Sequence, residues 1–426
     1  MMPPARIAIM MLMVVLIAIF GITTVNNMGN SPEGPTASTD VEYLTKIKAS
    51  ELGSVIEVDG SASLNLIGID RYVCFDDLGE ATVKLSSGKT LRYNVVPANL
   101  KLILLTGQSN SMFYTAPKYW TDPNPIKPGS CFYFGTEADP SLTVGGNATP
   151  ETVAQSEIRD LVDDTNKPQL AQMYPIMCSD LVKESGDRFL IISGGLGGRA
   201  ISNWNPGNIC DGWTKNLIIF VKQACEGKIN LDPTCVLWVQ GEGDKNNSEE
   251  YYYEKFTELC EKFRNGYFGF AFPAVFFSVP TTATASYDSM TNPAKAQIAA
   301  SEAYDWIVKA STLSYRFERP GDFRDGVHYT QRAYNWIGEA FARAVSIYEG
   351  WETVEQTIVI LDAIEGQPIT VTGYGTTGDA YTCTIRWADN IGTVSAPPGM
   401  RIAADISEIV QEIPDPEEPE PEPEEP

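Results

Sequence analysis

The chain contains one histidine, His328, so a reaction that needs an imidazole base has a single candidate. Asp325 lies three residues earlier, close enough to orient the ring and to stabilise its protonated form. Ser109 stands in the segment Thr106–Asn110, directly after an apolar run, and a serine hydroxyl attacks well only beside a base. These residues predict a nucleophilic Ser109, a base His328 and an orienting Asp325. Two alternatives are that Asp325 caps the next helix and that Asp322 is the partner of His328.

Glycines and an amide side chain follow the next two apolar runs. Gly197 and Gly198 would leave their backbone N–H groups unhindered, and Gln240 carries a side-chain amide. Together with the N–H of Ser109, these donors predict an oxyanion hole, in which each donor contributes about 3–4 kcal/mol to catalysis. The alternative for the glycines is a simple tight turn.

These segments all follow short apolar runs that have the composition of buried parallel strands. The runs are Leu100–Leu105, Phe189–Ser193, Val236–Val239 and Ala274–Val279. Helical spacing lies between and after them, in Gln169–Lys183, Thr214–Cys225, Ser248–Arg264, Pro293–Ala310 and Thr330–Tyr348. Strands that alternate with helices predict a three-layer α/β/α domain with a parallel sheet, whose ligands bind beyond the carboxyl ends of the strands.

The alternating apolar pattern before and after this α/β region predicts two small β modules. The expected organisation is a signal peptide or N-terminal membrane anchor in 1–25, a linker in 26–50, a β module in 51–98, the α/β domain in 99–350, a C-terminal β module in 351–411 and a disordered acidic, proline-rich tail in 412–426.

The apolar segment Ile7–Ile22 follows Arg6, as in an export signal. Extended by three residues it nears the length that spans a membrane, so both a cleaved signal and an uncleaved anchor are consistent with it, the anchor being slightly favoured. Either predicts that the body of the protein lies outside the cytoplasm, secreted or anchored at the cell surface.

The balance of charges excludes one class of partner. The chain has 31 Lys and Arg against 55 Asp and Glu, a net charge of −24, so binding to nucleic acid through phosphate attraction is not expected. The eight cysteines include no CxxC pair, so a zinc ribbon or thioredoxin-type site is not expected. We interpret most of the cysteines as buried apolar residues.

A long insert, Phe113–Pro168, follows the candidate nucleophile and is rich in proline, glycine and tyrosine. Long loops beside a nucleophile are usually functional, so we interpret the insert as the rim of a substrate cleft. Tyr114, Tyr119 and Trp120 could stack on a sugar or simply anchor the loop.

Four motifs in this order resemble those of the SGNH hydrolases, in the branch of the sialate O-acetylesterases and acetylxylan esterases, which are carbohydrate esterases. They are GQSN at Gly107–Asn110, GG-x-x-I-x-x-W from Gly197 to Trp204, W-x-Q-G-E from Trp238 to Glu242, and D-x-x-H at Asp325–His328. The resemblance covers roughly Leu100–Tyr348. It implies a flavodoxin-like fold and a catalytic triad of Ser109, His328 and Asp325.

The resemblance also implies the supporting residues. It makes Ser109, Gly198 (or Gly197) and Gln240 the oxyanion hole, and Glu242 a carboxylate that holds the site together. Further supporting or substrate-binding positions are Gln108, Asn110, Arg199 and Trp204. Ser111 and Arg199 depart from the family's usual residues, and Arg199 could reach a substrate carboxylate or lie on the surface.

The expected function is therefore that of a serine carbohydrate O-acetylesterase, an ester hydrolase of the SGNH type that removes acetyl groups from sialate-type or xylan-type sugars. One alternative is an esterase of the same type that acts on a lipid or peptidoglycan acyl ester. The other is a surface carbohydrate-binding or adhesive protein, viral for example, with a vestigial esterase domain. No metal or organic cofactor is implied, and the expected partner is an acetylated carbohydrate, with membrane contact only through an uncleaved N-terminus.

Overall fold

The computed structural model describes residues 38–112, 126–135, 156–161, 173–281, 290–311 and 323–351, together with six strands between 357 and 411. The apolar segment Ile7–Ile22, the insert aromatics Tyr114, Tyr119 and Trp120, and the tail 412–426 lie outside the described residues, and what was predicted for them stays a prediction. Within the described part of the chain, no helix combines the length and apolar character needed to cross a bilayer.

Residues 39–96 form two small sheets, with strand orders β1-β7-β6-β3 and β2-β5-β4. Their elements are β1 (Thr39–Glu42), β2 (Lys46–Lys48), the helical turn α1 (Ala49–Leu52), β3 (Val55–Gly60), β4 (Ser63–Ile67), β5 (Asp70–Cys74), β6 (Gly79–Leu85) and β7 (Thr90–Val96). Val73, Phe75 and Val83 are fully buried at their centre. The predicted linker is wrong from Thr39 onward, because β1 and β2 are short polar strands that are recognisable only through their partners.

The central sheet has seven strands in the order β10-β9-β11-β8-β12-β13-β14. They are β8 (Ala98–Gly107), β9 (Cys131–Gly135), β10 (Glu157–Asp160), β11 (Phe189–Ser193), β12 (Ile229–Val239), β13 (Ala274–Ser278) and β14 (Ile307–Ser311). Six run parallel, and β10 pairs antiparallel at one edge. The four predicted strands are therefore confirmed as β8, β11, β12 and β13. The interpretation of the whole insert as a loop is wrong, since β9 and β10 come from it.

Five helices among the described residues cover the two faces of this sheet. They are α2 (Tyr174–Ser185), α3 (Ile209–Cys225), α4 (Glu249–Arg264), α5 (Asn292–Ala303) and α6 (Gln331–Glu349). Met177 of α2 and Ile337 of α6 belong to the buried cluster on one face. Leu217 of α3, Phe256 of α4 and Ala296 of α5 belong to the cluster on the other face. The predicted three-layer α/β/α domain with a parallel sheet is thus confirmed.

The predicted helix Pro293–Ala310 is too long. The backbone turns extended at Tyr304, with φ −135°, and Ile307–Ser311 then pairs with β13 as an edge strand. The apolar residues there are consistent with both a helix and a strand. Pairing with β13 stabilises the strand.

Two helix starts carry the side-chain caps that their sequences offer. The Tyr251 N–H donates to Ser248 Oγ at 3.2 Å at the start of α4, and the Ala294 N–H donates to Thr291 Oγ1 at 3.4 Å at the start of α5. Pro293 in the first turn of α5 adds a residue whose φ is already helical. These signals fix where the helices on one face of the sheet begin.

Buried charges join the first small sheets to the central sheet. Arg188, next to β11, donates from Nη1 to Glu42 Oε2 at 3.0 Å and to the carbonyl of Tyr43 at 3.1 Å. Lys46 pairs with Asp160 of β10, and both side chains are largely buried. A buried charge that loses its partner destabilises a protein strongly, so these pairs fix the two parts against each other.

The C-terminal strands form two three-stranded antiparallel sheets, in the orders β15-β19-β18 and β17-β16-β20. They are β15 (Thr357–Ile360), β16 (Pro368–Thr372), β17 (Ala380–Thr384), β18 (Arg386–Ala388), β19 (Ile391–Ser395) and β20 (Ile409–Gln411). Residues 396–408 of the predicted C-terminal β module lie outside the described residues.

The seven cysteines whose side chains are described are buried and form no disulfide with one another. Desolvation raises the pKa of the Cys178, Cys235 and Cys260 thiols well above its usual value. Thiols of this kind are unreactive packing groups, as the sequence led us to expect.

The strands β8 and β12 pack tightly against each other where the candidate nucleophile segment begins. Gly107 ends β8 with φ +134°, and a Cβ placed on it would lie 2.1 Å from the carbonyl oxygen of Val239. The next N–H, of Gln108, donates to that same oxygen at 3.0 Å. The missing side chain therefore lets the chain turn out of the sheet against the end of β12.

We expect Gly107→Ala to lower the free energy of unfolding by about 3 kcal/mol or more, because it combines a strained φ with a clash against backbone. Gly88→Ala is the matched control: Gly88 also has a positive φ but faces open space, so the cost should be about 1 kcal/mol. Urea unfolding of the two variants measures the difference. If both variants lost the same free energy of unfolding, Gly107 would not lie in tight contact with β12.

Candidate active site

The predicted site residues lie at the carboxyl edge of the central sheet. Ser109 opens a 3₁₀ turn, Ser109–Ser111, that follows β8. Gly197 comes after β11, Glu242 after β12, and His328 lies just before α6. Since parallel strands end at the same edge, segments far apart in sequence meet here.

Ser109, His328 and Asp325 form a continuous hydrogen-bonded line. Ser109 Oγ lies 2.9 Å from His328 Nε2, and His328 Nδ1 lies 2.8 Å from Asp325 Oδ2. Ser109 and His328 are half-buried, so the hydroxyl lies at an accessible edge of the site. This is the arrangement in which the imidazole can take a proton from the serine as the hydroxyl attacks.

The loop that carries His328 is organised by Asp325 itself. Asp325 Oδ1 accepts from the backbone N–H groups of Val327 and His328, both at 2.8 Å, while Oδ2 faces the ring. Partial burial raises the pKa of Asp325, but the bonds from the His328 backbone, the His328 ring and Val327 outweigh it and lower the value to about 2. Asp325 is therefore a carboxylate at neutral pH. It keeps a proton on Nδ1, so Nε2 is the acceptor that faces Ser109.

Backbone N–H groups beside Ser109 are available for an oxyanion. Within the described residues, the N–H groups of Ser109, Gly197 and Gly198 donate to no protein acceptor. A Cβ placed on Gly197 would lie 3.9 Å from Ser109 Cβ, so the glycine turn borders the nucleophile. Gly198 has φ +67°, a conformation that favours glycine. The structure thus places Gly197 beside Ser109, with Gly198 next in the chain.

Gln240 does not point into this group. Its side chain is fully buried, and Nε2 donates to the carbonyl of Arg199 at 3.0 Å and to the carboxylate of Asp244. Its Oε1 accepts from the Tyr252 hydroxyl at 2.6 Å. Both amide N–H groups are engaged, so the predicted oxyanion role of Gln240 is wrong. Gln240 instead holds the glycine turn from beneath, through Arg199.

Gln108, Asn110 and Glu242 tie the nucleophile turn to the end of β12. Gln108 Oε1 accepts from the Gly243 N–H at 3.1 Å, and Asn110 Nδ2 donates to Glu242 Oε1 at 2.7 Å. Burial raises the pKa of Glu242, although the bond from Asn110 opposes the shift. These hydrogen bonds place the three residues around the nucleophile turn, and none of the three lies in the Ser–His–Asp line.

Trp204 belongs to the core. Its side chain is fully buried, and its ring meets that of Trp238 edge-on, with centroids 5.0 Å apart. Of the two roles that the sequence leaves open for Trp204, packing or substrate binding, packing fits this position, because a sugar cannot reach a fully buried ring. The tryptophan packs the segment after the glycine turn against β12.

Arg199 has a backbone that is fixed beside the glycine turn and a guanidinium that lacks a partner among the described residues. Its backbone is held by Gln240 and lies two residues from Gly197, yet its guanidinium forms no ion pair or hydrogen bond with the described residues. The Nε atom is buried and has no acceptor. The residue as a whole is half-buried.

Several supporting residues were not identified from the sequence. Asp244 accepts from the Ile201 N–H at 2.8 Å, Gln297 Nε2 donates to the Gln240 carbonyl at 2.8 Å, and the Tyr334 hydroxyl donates to Asn110 Oδ1 at 2.8 Å. Asp244 stands in the same QGEGD segment as Glu242, which was the one available signal. Gln297 and Tyr334 lie on helices, and a polar residue on an apolar helix face is only a weak indication that the residue supports a site. In the described part of the chain, no group of three or more His, Cys, Asp or Glu side chains could hold a metal ion.

Comparison with known families supports the resemblance read from the motifs. Residues 147–347 match the family model described as carbohydrate esterase, sialic acid-specific acetylesterase. The match includes the glycine turn, Gln240 and His328, and Ser109 lies before its first residue. The resemblance to this carbohydrate acetylesterase family is confirmed. A comparison with curated proteins finds no match for the chain.

Three solved structures are similar to this chain, each with a TM-score of 0.39. A protein from Arabidopsis thaliana is 15% identical, over 59% of this chain and 98% of the other. A carbohydrate acetylesterase from Xanthomonas citri is 13% identical, over 86% and 91%. NanS is 14% identical, over 60% and 99%.

The geometry predicts that Ser109 reacts with a fluorophosphonate, which tests the nucleophile without any assumption about substrate. Mass spectrometry of peptides should find the label on Ser109 and nowhere else. Asp325→Asn keeps the Oδ1 bonds to the loop but faces the Nδ1–H with an amide, so labelling should slow by about a hundredfold or more. Labelling of Asp325→Asn at the wild-type rate would contradict the role of Asp325.

Proposed function

We propose that this protein is a serine O-acetylesterase that removes acetyl groups from carbohydrates through an acetyl-Ser109 intermediate. The observation that carries the proposal is the line from Ser109 Oγ through His328 to the Asp325 carboxylate, with contacts of 2.9 and 2.8 Å. The match to the sialic acid-specific acetylesterase family supports the acetyl group and the sugar.

In the first half of the reaction, Ser109 Oγ attacks the acetyl carbonyl while its proton moves to His328 Nε2. The N–H groups of Ser109 and of Gly197 or Gly198 then stabilise the tetrahedral oxyanion. Asp325 balances the positive charge of the imidazolium. His328 next gives the proton to the sugar oxygen, the C–O bond breaks, and the deacetylated sugar leaves.

In the second half, water takes the place of the sugar. His328 removes a proton from the water, whose oxygen attacks the acetyl-serine ester. Collapse of the second tetrahedral intermediate releases acetate, and the proton on His328 returns to Ser109 Oγ. The cycle uses acid–base chemistry throughout, with no net change in the enzyme.

For the substrate, we propose a sugar that carries a carboxylate, such as an acetylated sialic or uronic acid. Arg199 is the supporting observation, since its guanidinium has no counter-ion among the described residues although the chain is strongly acidic. A guanidinium binds a carboxylate through paired hydrogen bonds. Removal of the guanidinium would therefore weaken the binding of acidic sugars and leave that of neutral sugars unchanged. The apolar N-terminal segment supports an extracytoplasmic location, where such glycans occur.

The intact hydrogen bonds of the triad favour turnover over the alternative of a vestigial domain that only binds sugar. We expect the wild-type protein to release acetate from acetylated sugars, and Ser109→Ala and His328→Ala to lose about a thousandfold or more in kcat. An enzyme-coupled acetate assay measures the rates. Acetate release by Ser109→Ala at the wild-type rate would contradict the proposal.

The substrate proposal is tested separately with Arg199→Ala. We expect kcat/KM for an O-acetylated sialic acid to fall about 10- to 100-fold, the value of a charged hydrogen bond, and kcat/KM for acetylxylan to stay unchanged. Arg71→Ala, which removes the same charge from an exposed strand position, should change neither. Equal losses on both substrates would show that Arg199 does not read a carboxylate.

A further inference from the structure

Tyr252 is a fully buried residue of α4 that the triad mechanism leaves unused. Its hydroxyl lies within 3.5 Å of polar atoms of Trp238, Gln240 and Gln297, at the end of β12. Burial raises the pKa of Tyr252 well above its usual value, so the hydroxyl keeps its proton at neutral pH. It can donate that proton to one acceptor at a time, and the neighbouring groups decide to which.

These neighbours fix the direction of the Tyr252 proton. Gln297 Nε2, on α5, donates to the carbonyl of Gln240 at 2.8 Å and to Tyr252 Oη at 2.9 Å. A carbonyl oxygen only accepts, so the Gln297 amide must turn its NH2 group toward this pair. The Trp238 indole, which can only donate, lies 3.5 Å from Tyr252 Oη. The proton of Tyr252 therefore goes to Gln240, where Oε1 at 2.6 Å is nearer than the carbonyl at 3.2 Å.

The direction of this proton in turn sets the orientation of the Gln240 amide. The oxygen and NH2 ends of an amide have nearly the same shape, so their hydrogen-bond partners decide which end lies where. With Oε1 on Tyr252, the NH2 group of Gln240 faces the carbonyl of Arg199, at 3.0 Å, and the carboxylate of Asp244. Both of these groups accept, so all three contacts require the same orientation.

The backbone that Gln240 holds belongs to the oxyanion side of the site. The Arg199 carbonyl, which accepts from Gln240, lies one residue after Gly198. A Cβ placed on Gly197 would lie 3.9 Å from Ser109 Cβ. A shift of the Arg199 carbonyl would therefore move the glycine N–H groups relative to the nucleophile.

We propose that Tyr252 is a positioning residue for the oxyanion hole. Acting through Gln240, its hydroxyl holds the glycine turn so that the N–H groups of the turn face the oxygen that becomes negative in the transition state. Without the hydroxyl, Gln240 Oε1 would be buried with no donor, which favours a different position of the amide. The inference deepens the proposed function and rests on it. Tyr252 is not itself a catalytic residue, because it acts from α4 through another side chain.

Tyr252→Phe removes only the hydroxyl, and the reaction of Ser109 with a fluorophosphonate measures the effect. The phosphonyl oxygen needs the same N–H donors as the acetyl oxygen. The limiting rate constant of labelling should fall about tenfold or more, while the half-saturating reagent concentration stays unchanged, because the donors act as charge develops. A site that was merely loosened would bind the reagent more weakly as well. Tyr251→Phe removes a hydroxyl from an exposed position of the same helix and should label at the wild-type rate.

Two further variants test the path of the effect. Gln297→Met removes the donor that directs the Tyr252 proton, so it should lower the limiting rate constant in the same way. It also decides the question if Tyr252→Phe does not fold, as judged by circular dichroism. In a Gln240→Met background, Tyr252→Phe should cause no further loss, because its connection to the glycine turn is already absent.

Wild-type limiting rates in both Tyr252→Phe and Gln297→Met would overturn the inference and leave the serine mechanism intact. A loss from Tyr252→Phe that adds in full to that of Gln240→Met would overturn it too, since the tyrosine would then act by another path. A wild-type protein that is not labelled at Ser109 would instead contradict the serine mechanism, and the inference with it.

Discussion

The chemistry of the site depends on one imidazole held between two oxygens that belong to distant parts of the chain. His328 is the sole histidine, and its Nε2 meets the hydroxyl of a serine 219 residues earlier. Asp325 closes the other side of the ring from within the same short loop. Hydrogen bonds within the loop thus hold Asp325 and His328 against each other. What the rest of the fold must supply is its position against the turn after β8.

A layer of buried polar side chains beneath the catalytic groups supplies that position. Asn110 links the nucleophile turn to the histidine loop, and Gln240 holds the backbone of the glycine turn through Arg199. Partly satisfied polar networks are costly in a low-dielectric interior, whereas connected ones select a single geometry. The close approach of β8 and β12 at Gly107 sets the start of this layer, because it fixes where Gln108 leaves the sheet.

Much of this arrangement could be predicted from the sequence, for physical reasons. The buried parallel strands are continuous apolar runs, and parallel topology forces their ends together, so the pattern predicted that Ser109 and the glycine turn share one edge of the sheet. His328 was chosen as the base because it is the only histidine in the chain. The error at Gln240 has another origin. In the sequence, its amide could donate to an oxyanion or to a buried acceptor equally well. Its hydrogen bonds with Asp244 and Tyr252, which occupy the amide, form only in the folded chain. β14 was missed because its pairing with β13 is likewise a tertiary contact.

The most direct test of the account is to trap the covalent intermediate. Protein mixed with a chromogenic acetate ester is quenched in acid during steady turnover, digested, and analysed by mass spectrometry. The account predicts one added acetyl group, on the hydroxyl of Ser109, which disappears when the ester is exhausted and does not form in His328→Ala. Steady release of acetate with no acetylated Ser109 at any time of quenching would contradict it.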